Sequence, residues 1–172
     1  MDSSKGVFIL EFDWKSWFLD VWEENRRLTN FVVRDLDAAE AMDKQPVNGM
    51  RPFREMLFEI WGIENAYLRG LALDQWKWEG IPDELRTAPI QEALAYGQHV
   101  REQTRKLWPS ISMESLTIMR SEPFWGGPDG TAMSWLTYAL ENEIHHRGQG
   151  YVYLRLLGKE PPAFFVRTDV AE

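Results

Sequence analysis

Apolar residues in this 172-residue chain recur at three- and four-residue steps over four long stretches, and prolines and glycines separate the stretches. That spacing lines up one face of an α-helix every turn, so it calls for amphipathic helices that must bury those faces against each other. The first stretch runs from Trp14 to about Leu36 through Phe18, Val21, Trp22, Leu28 and Val32, with Asp13 placed as its N-cap. The second runs from about Pro52 to Leu73, with Phe53, Met56, Leu57, Ile60, Ile63, Tyr67, Leu68 and Leu71 on a wide apolar face. The third, from Pro89 to about Trp108, is thin in apolar residues and is expected to pack at an edge; Thr87 is its expected cap. The fourth, from about Ala132 to Leu157 behind a Thr131 cap, carries Met133, Leu136, Leu140, Ile144, Tyr151 and Leu154 and stops at Gly158 and Pro161-Pro162.

No stretch alternates with a period of two, and no repeat of fixed length occurs. The expected fold is therefore all-α: an up-and-down four-helix bundle with long interhelical loops, forming a single domain over residues 1–172. The polar connection 37–51 and the turn-rich connection 110–130 are long for such a bundle and are expected to shape a pocket mouth.

Composition removes several function classes. The net charge of -8, with Lys and Arg scattered, disfavours nucleic acid as a partner. The absence of cysteine excludes disulfides, thiolate ligands and a cysteine nucleophile from this chain, so any thiol in its chemistry must arrive with a ligand. The apolar run at residues 7–10 is too short for a signal-peptide core and no run reaches membrane-spanning length, which makes the cytoplasm the expected address, with no membrane partner. Nine tryptophans, among them Trp14, Trp17, Trp22, Trp61 and Trp135, read mostly as bulky core and interface filler.

Two places carry candidate chemistry. Glu59 has Met56, Ile60, Ile63 and Tyr67 as helical neighbours, so its carboxylate needs a partner; an acid at the edge of the face that reaches solvent or pairs with an arginine is the plainer reading. Asn142 and His146 stand one turn apart on one helix face, and Glu141 and His145 form a second such pair about 100° away. Side chains at i and i+4 can grip one ion with a third ligand from another helix; a core histidine hydrogen-bonded to a neighbouring helix is the alternative.

The segment Glu143-Ile144-His145-His146-Arg147-Gly148-Gln149, continued by Tyr151-Val152-Tyr153-Leu154-Arg155-Leu156-Leu157-Gly158 and Glu160-Pro161-Pro162, resembles the last helix of the DinB-like family. Trp22-Glu23-Glu24-Asn25-Arg26 and Arg54-Glu55-Met56-Leu57-Phe58-Glu59-Ile60 resemble its first and second helices. The resemblance implies a four-helix bundle, often dimeric, that binds a divalent metal through one second-helix histidine and a His-x-x-x-His pair on the fourth helix. Of those three positions only His146 keeps its histidine: Asn142 stands at the first position of the pair and Glu59 at the second-helix position.

The metal site so implied is Glu59, Asn142 and His146, a degenerate, oxygen-rich set for manganese, iron, nickel or zinc. Oxygen donors favour harder ions such as manganese or magnesium over zinc or nickel and weaken binding. Glu141 and Glu143 rank below Asn142 as ligands, and Arg147 and Gln149 are expected to be structural. The family likeness further implies a metal-dependent enzyme of the thiol S-transferase or hydrolase type, acting as a homodimer on a small molecule, with a low-molecular-weight thiol as cosubstrate in the first case. The rival expectation is a non-catalytic, metal-free bundle that binds a small molecule or serves a stress response, with Glu59 and His146 as a buried hydrogen-bonded pair.

Overall fold

The computed structural model describes residues 12–165, so the apolar run at residues 7–10 lies outside the described residues. Four long helices dominate: α1 (Trp14–Asp37), α2 (Phe53–Leu73), α3 (Ile90–Leu107) and, after the short α4 (Met113–Thr117), α5 (Ala132–Leu156). Their ends follow local chemistry. The Asp13 side chain accepts from the amides of Lys15 and Ser16, and the Thr131 side chain accepts from that of Ser134. Thr87 does not cap α3; Pro89 occupies the N-cap position without a side-chain hydrogen bond. Gly158, at φ 73°, takes the left-handed turn that ends α5.

The 110–130 connection is more ordered than its turn signals suggest. It holds α4 and two short strands, β1 (Met119–Arg120) and β2 (Gly130–Thr131), which pair antiparallel and pinch the connection closed. Among the described residues no helix is long and apolar enough to cross a membrane.

The principal seams join α1 to α5, α5 to α2 and α2 to α3. The connection from α1 to α2 therefore links helices that share no principal seam, which accounts for its length. Two apolar clusters fill the interior. One gathers Val32, Leu36, Phe53, Met56, Leu57, Ile60, Trp61, Val100 and Tyr153, and the other Phe18, Trp22, Ile63, Tyr67, Leu68, Trp108, Trp135 and Leu136. Trp22, Trp61 and Trp135 are core filler as expected, whereas Trp17 is exposed.

Each long helix brings a buried charged residue to the region where the two clusters meet: Arg26 on α1, Glu64 on α2, Arg101 on α3 and Glu143 on α5. Arg26 donates to Glu143 Oε1 and to Glu64 Oε2, each at 2.8 Å, while Arg101 Nη2 donates to Glu64 Oε2 at 3.1 Å and Thr104 to Glu64 Oε1 at 2.5 Å. Both carboxylates are fully buried. This polar layer ties all four long helices at mid-height. It also explains why Ile144, expected on the core stripe of α5, is exposed: Glu143, His146, Arg147 and Gly150 occupy the inward face instead.

Candidate functional site

The three residues singled out for a metal site do converge. Asn142 Nδ2 donates to Glu59 Oε1 at 2.8 Å, and His146 Nε2 stands 3.3 Å from Glu59 Oε1 and 3.4 Å from Asn142 Nδ2. The helical repeat of α5 sets Asn142 above His146, and the α2–α5 seam brings Glu59 across to both. His146 is buried and Glu59 half-buried. Neighbouring side chains complete the set. His146 Nδ1 lies 2.8 Å from Gln149 Oε1, a contact that turns Nε2 towards Glu59, while Gln149 Nε2 lies 3.2 Å from His145 Nε2. Arg147 donates to the backbone carbonyl and side-chain oxygen of Asn25 at 3.1 and 3.0 Å, tying α5 to α1. Gln149 and Arg147 thus hold the site in place, in keeping with the structural roles expected of them.

Arg51, which the sequence does not single out, is the fourth member. It lies at the end of the connection before α2, and its Nη1 meets Glu59 Oε2 at 2.6 Å. Both oxygens of Glu59 are therefore engaged by donors. Burial alone would raise the Glu59 carboxyl, but hydrogen bonds from Arg51, Asn142 and His146 outweigh it and hold the group below its usual 4.5. Replacing Arg51 by Ala should move the Glu59 titration upward, as read from its carboxyl carbon by NMR; an unmoved midpoint would show that the ion pair does not persist in solution. The pair favours folding above pH 4.5, and its contribution fades as pH falls through the lowered folded value.

As arranged, these side chains do not fit a divalent ion. Glu59 already holds a guanidinium, and Asn142 presents its donating nitrogen, rather than its oxygen, to the imidazole. Among the described residues no three of His, Asp and Glu gather where they could hold a metal. Glu141 is not brought into the set, and Glu143, the other substitute ligand considered, belongs to the polar layer, where Arg26 takes it up.

A cavity of about 450 Å³ opens beside Glu59. Arg51, Phe58 and Ile63 form part of its wall, Tyr138 of α5 another, and the loops supply Trp78, Ile81, Arg86 and Trp125. The indoles of Trp78 and Trp125 meet edge to face with centroids 4.7 Å apart. Glu122 holds this wall by accepting from Tyr67 Oη at 3.2 Å and from the Phe124 amide at 3.0 Å, and from the Trp125 amide as well. The two long connections thus border a pocket through Arg51 and Trp125, while the connection between α2 and α3, which sequence did not assign to it, supplies Trp78, Ile81 and Arg86.

Comparison with known proteins agrees with this architecture. The structure is similar to the crystal structure of a DinB-like protein from Bacillus subtilis, with a TM-score of 0.65 at 18% identity over 86% of this chain and 96% of that one. No curated protein matches the chain. The model of the DinB family matches residues 12–171, almost the whole sequence and all four long helices. A match of that extent, on a bundle of this shape, means that the chain belongs to the DinB family.

Proposed function

We propose that this DinB-family bundle is a metal-independent binding protein for a small, largely apolar or aromatic molecule, housed in the cavity beside Glu59. The observation that carries this reading is that Glu59 spends both carboxylate oxygens on Arg51 and Asn142. A hydrogen-bonded cluster takes the place of a cation, with Arg51 as the positive charge. The cavity sets apolar and aromatic walls against a few charged groups, Arg51, Glu55, Glu59 and Arg86, that could orient a ligand, and its volume suits a compact molecule.

A second reading, a metal-dependent transferase or hydrolase acting on a small molecule with or without a thiol, has one observation in its favour. Asn142 Oδ1 is buried with no hydrogen-bond partner. An amide turned over would set that oxygen beside Glu59 Oε1 and His146 Nε2, a donor set that a cation, or a proton carried on the imidazole nitrogen, would reconcile. Arg51 would have to leave. Dimer formation and a role in stress response are compatible with either reading.

Elemental mass spectrometry of the untagged protein, beside a Glu59→Ala, His146→Ala double variant, decides between the two. The first reading expects equal, substoichiometric metal in both proteins. Near one manganese, iron, nickel or zinc per chain in the parent, lost in the variant, would overturn it and establish the second. A Glu59→His, Asn142→His variant calibrates the result, since it builds three imidazoles on the same backbone and is expected to gain stoichiometric zinc or nickel.

A further inference from the structure

A second, larger cavity runs along the side of the bundle between α1 and α3, which share no principal seam. Its volume is about 1020 Å³, and none of its lining residues borders the cavity beside Glu59. Val33, Trp61, Leu94 and Gly97 form an apolar strip in a lining otherwise made of polar side chains and charged ones of both signs, and Arg105 bridges to Glu23 across the same side at 2.8 Å. Arg26 and Arg101 of the polar layer also line it.

The two arginines are unequally matched. Arg26 reaches both carboxylates directly, and Glu143 and Glu64 outweigh its burial to raise its guanidinium above the ordinary range. Arg101 reaches Glu64 at 3.1 Å but Glu143 only at 3.8 Å, both through Nη2. Burial, reinforced by the like charge of Arg26, outweighs the two acids and leaves its guanidinium below the ordinary range. Its Nε and Nη1 are buried with no acceptor, and so is Nε1 of Trp22, whose ring packs 4.6 Å from the guanidinium carbon. Every unmet group here is a donor, and the under-compensated charge is positive. What the layer lacks is an anionic acceptor, and of the two residues with unmet donors Arg101 is the one that borders the groove.

We propose that the groove between α1 and α3 is a second ligand site, which takes a small molecule whose apolar body lies on Trp61, Val33 and Leu94 and whose carboxylate accepts from the unpaired N–H groups of Arg101, sealed in the unliganded chain and brought to the groove wall by a turn of that side chain. The groove residues and the buried donors fix the orientation: charge inward at the polar layer, apolar chain along the helices. This site is independent of the reading given to the Glu59 cavity.

The test is calorimetric titration of the full chain with three carboxylates, octanoate, 4-phenylbutyrate and indole-3-acetate, each beside its neutral primary amide. At least one acid is expected to bind about ten- to a hundredfold more tightly than its amide, the range for a charge-assisted hydrogen bond. Gln98→Trp plugs the groove from an exposed position on α3 that takes no part in the polar layer, and should abolish that binding; Arg101→Met should reduce it to the level of the amide. Equal affinity for acid and amide, binding undisturbed by Gln98→Trp, or no binding of any acid up to about 10 mM would each overturn the proposal. Should Arg101→Met fail to fold, the amide comparison and Gln98→Trp decide it.

Discussion

Replacing Arg26 by Met should cost the fold about 3–5 kcal/mol, a large share of the 5–15 kcal/mol that holds a typical domain together. The change leaves Glu143 fully buried with Arg101 no nearer than 3.8 Å, and removes one of two guanidinium contacts to Glu64. An uncompensated carboxylate in an apolar interior is among the most expensive defects a protein can carry. The midpoint of urea unfolding reads the loss directly, at unchanged slope. Adding Glu143→Leu to Arg26→Met should restore much of it, because a layer without either charge has little left to solvate. Acid behaviour should change in parallel. Burial would raise the Glu143 carboxyl, but Arg26 and Arg101 overcome it and keep the group below 4.5, so its contribution is whole above that pH and is lost as pH falls through the lowered value. With Arg26 gone that acid-dependent part should largely vanish. A loss under about 1 kcal/mol for the single variant would mean that the layer is solvated rather than dry.

Gly97→Ala is the second large effect, about 1–3 kcal/mol of destabilisation from a single methyl group. A Cβ at this position would lie 2.3 Å from Trp61 Cε2, and the indole is buried and packed against Phe58 and Tyr96, so it cannot retreat without disturbing the α2–α3 seam. Gly148 in α5 supplies the opposite control. A Cβ there meets nothing within 4 Å, so Gly148→Ala should stabilise by about 0.5–1 kcal/mol through helix propensity alone. Calorimetric melting of both variants separates close packing from propensity. Two melting points shifted in the same direction would contradict the seam described here.

The four long helices were legible because each buries a face whose spacing repeats over several turns, and because Asp13, Thr131 and Gly158 act through backbone chemistry that is local in sequence. Elements of two to five residues, such as α4 and the β1–β2 ladder, carry no period, and the ladder pairs residues that sequence alone does not associate. The resemblance to the DinB family located Glu59, Asn142 and His146, and the structure brings all three within reach of one another. Arg51 was invisible because an arginine in a connection has no periodic neighbours to mark its partner. Glu64 is different: Ile60, Ile63, Tyr67 and Leu68 surround it just as apolar residues surround Glu59, so the signal of a carboxylate in need of a cation was present there too. Which cation answers it is a tertiary fact, since Arg26 and Arg101 lie 38 and 37 residues away in opposite directions.

The polar layer also bears on how the chain reaches its native state. Helical bundles usually fold fast because most of their contacts are local. Here the bond from Arg26 to Glu143 closes a separation of 117 residues, and that from Arg147 to Asn25 one of 122. Until α5 docks against α1, Arg26 and Glu143 keep their water shells, which a dry interior will not admit, so the layer matures only when nearly the whole chain is in place. Interactions formed that late slow unfolding more than they speed folding. In this bundle the buried charges would act as a kinetic latch, setting how long the native state lasts once formed.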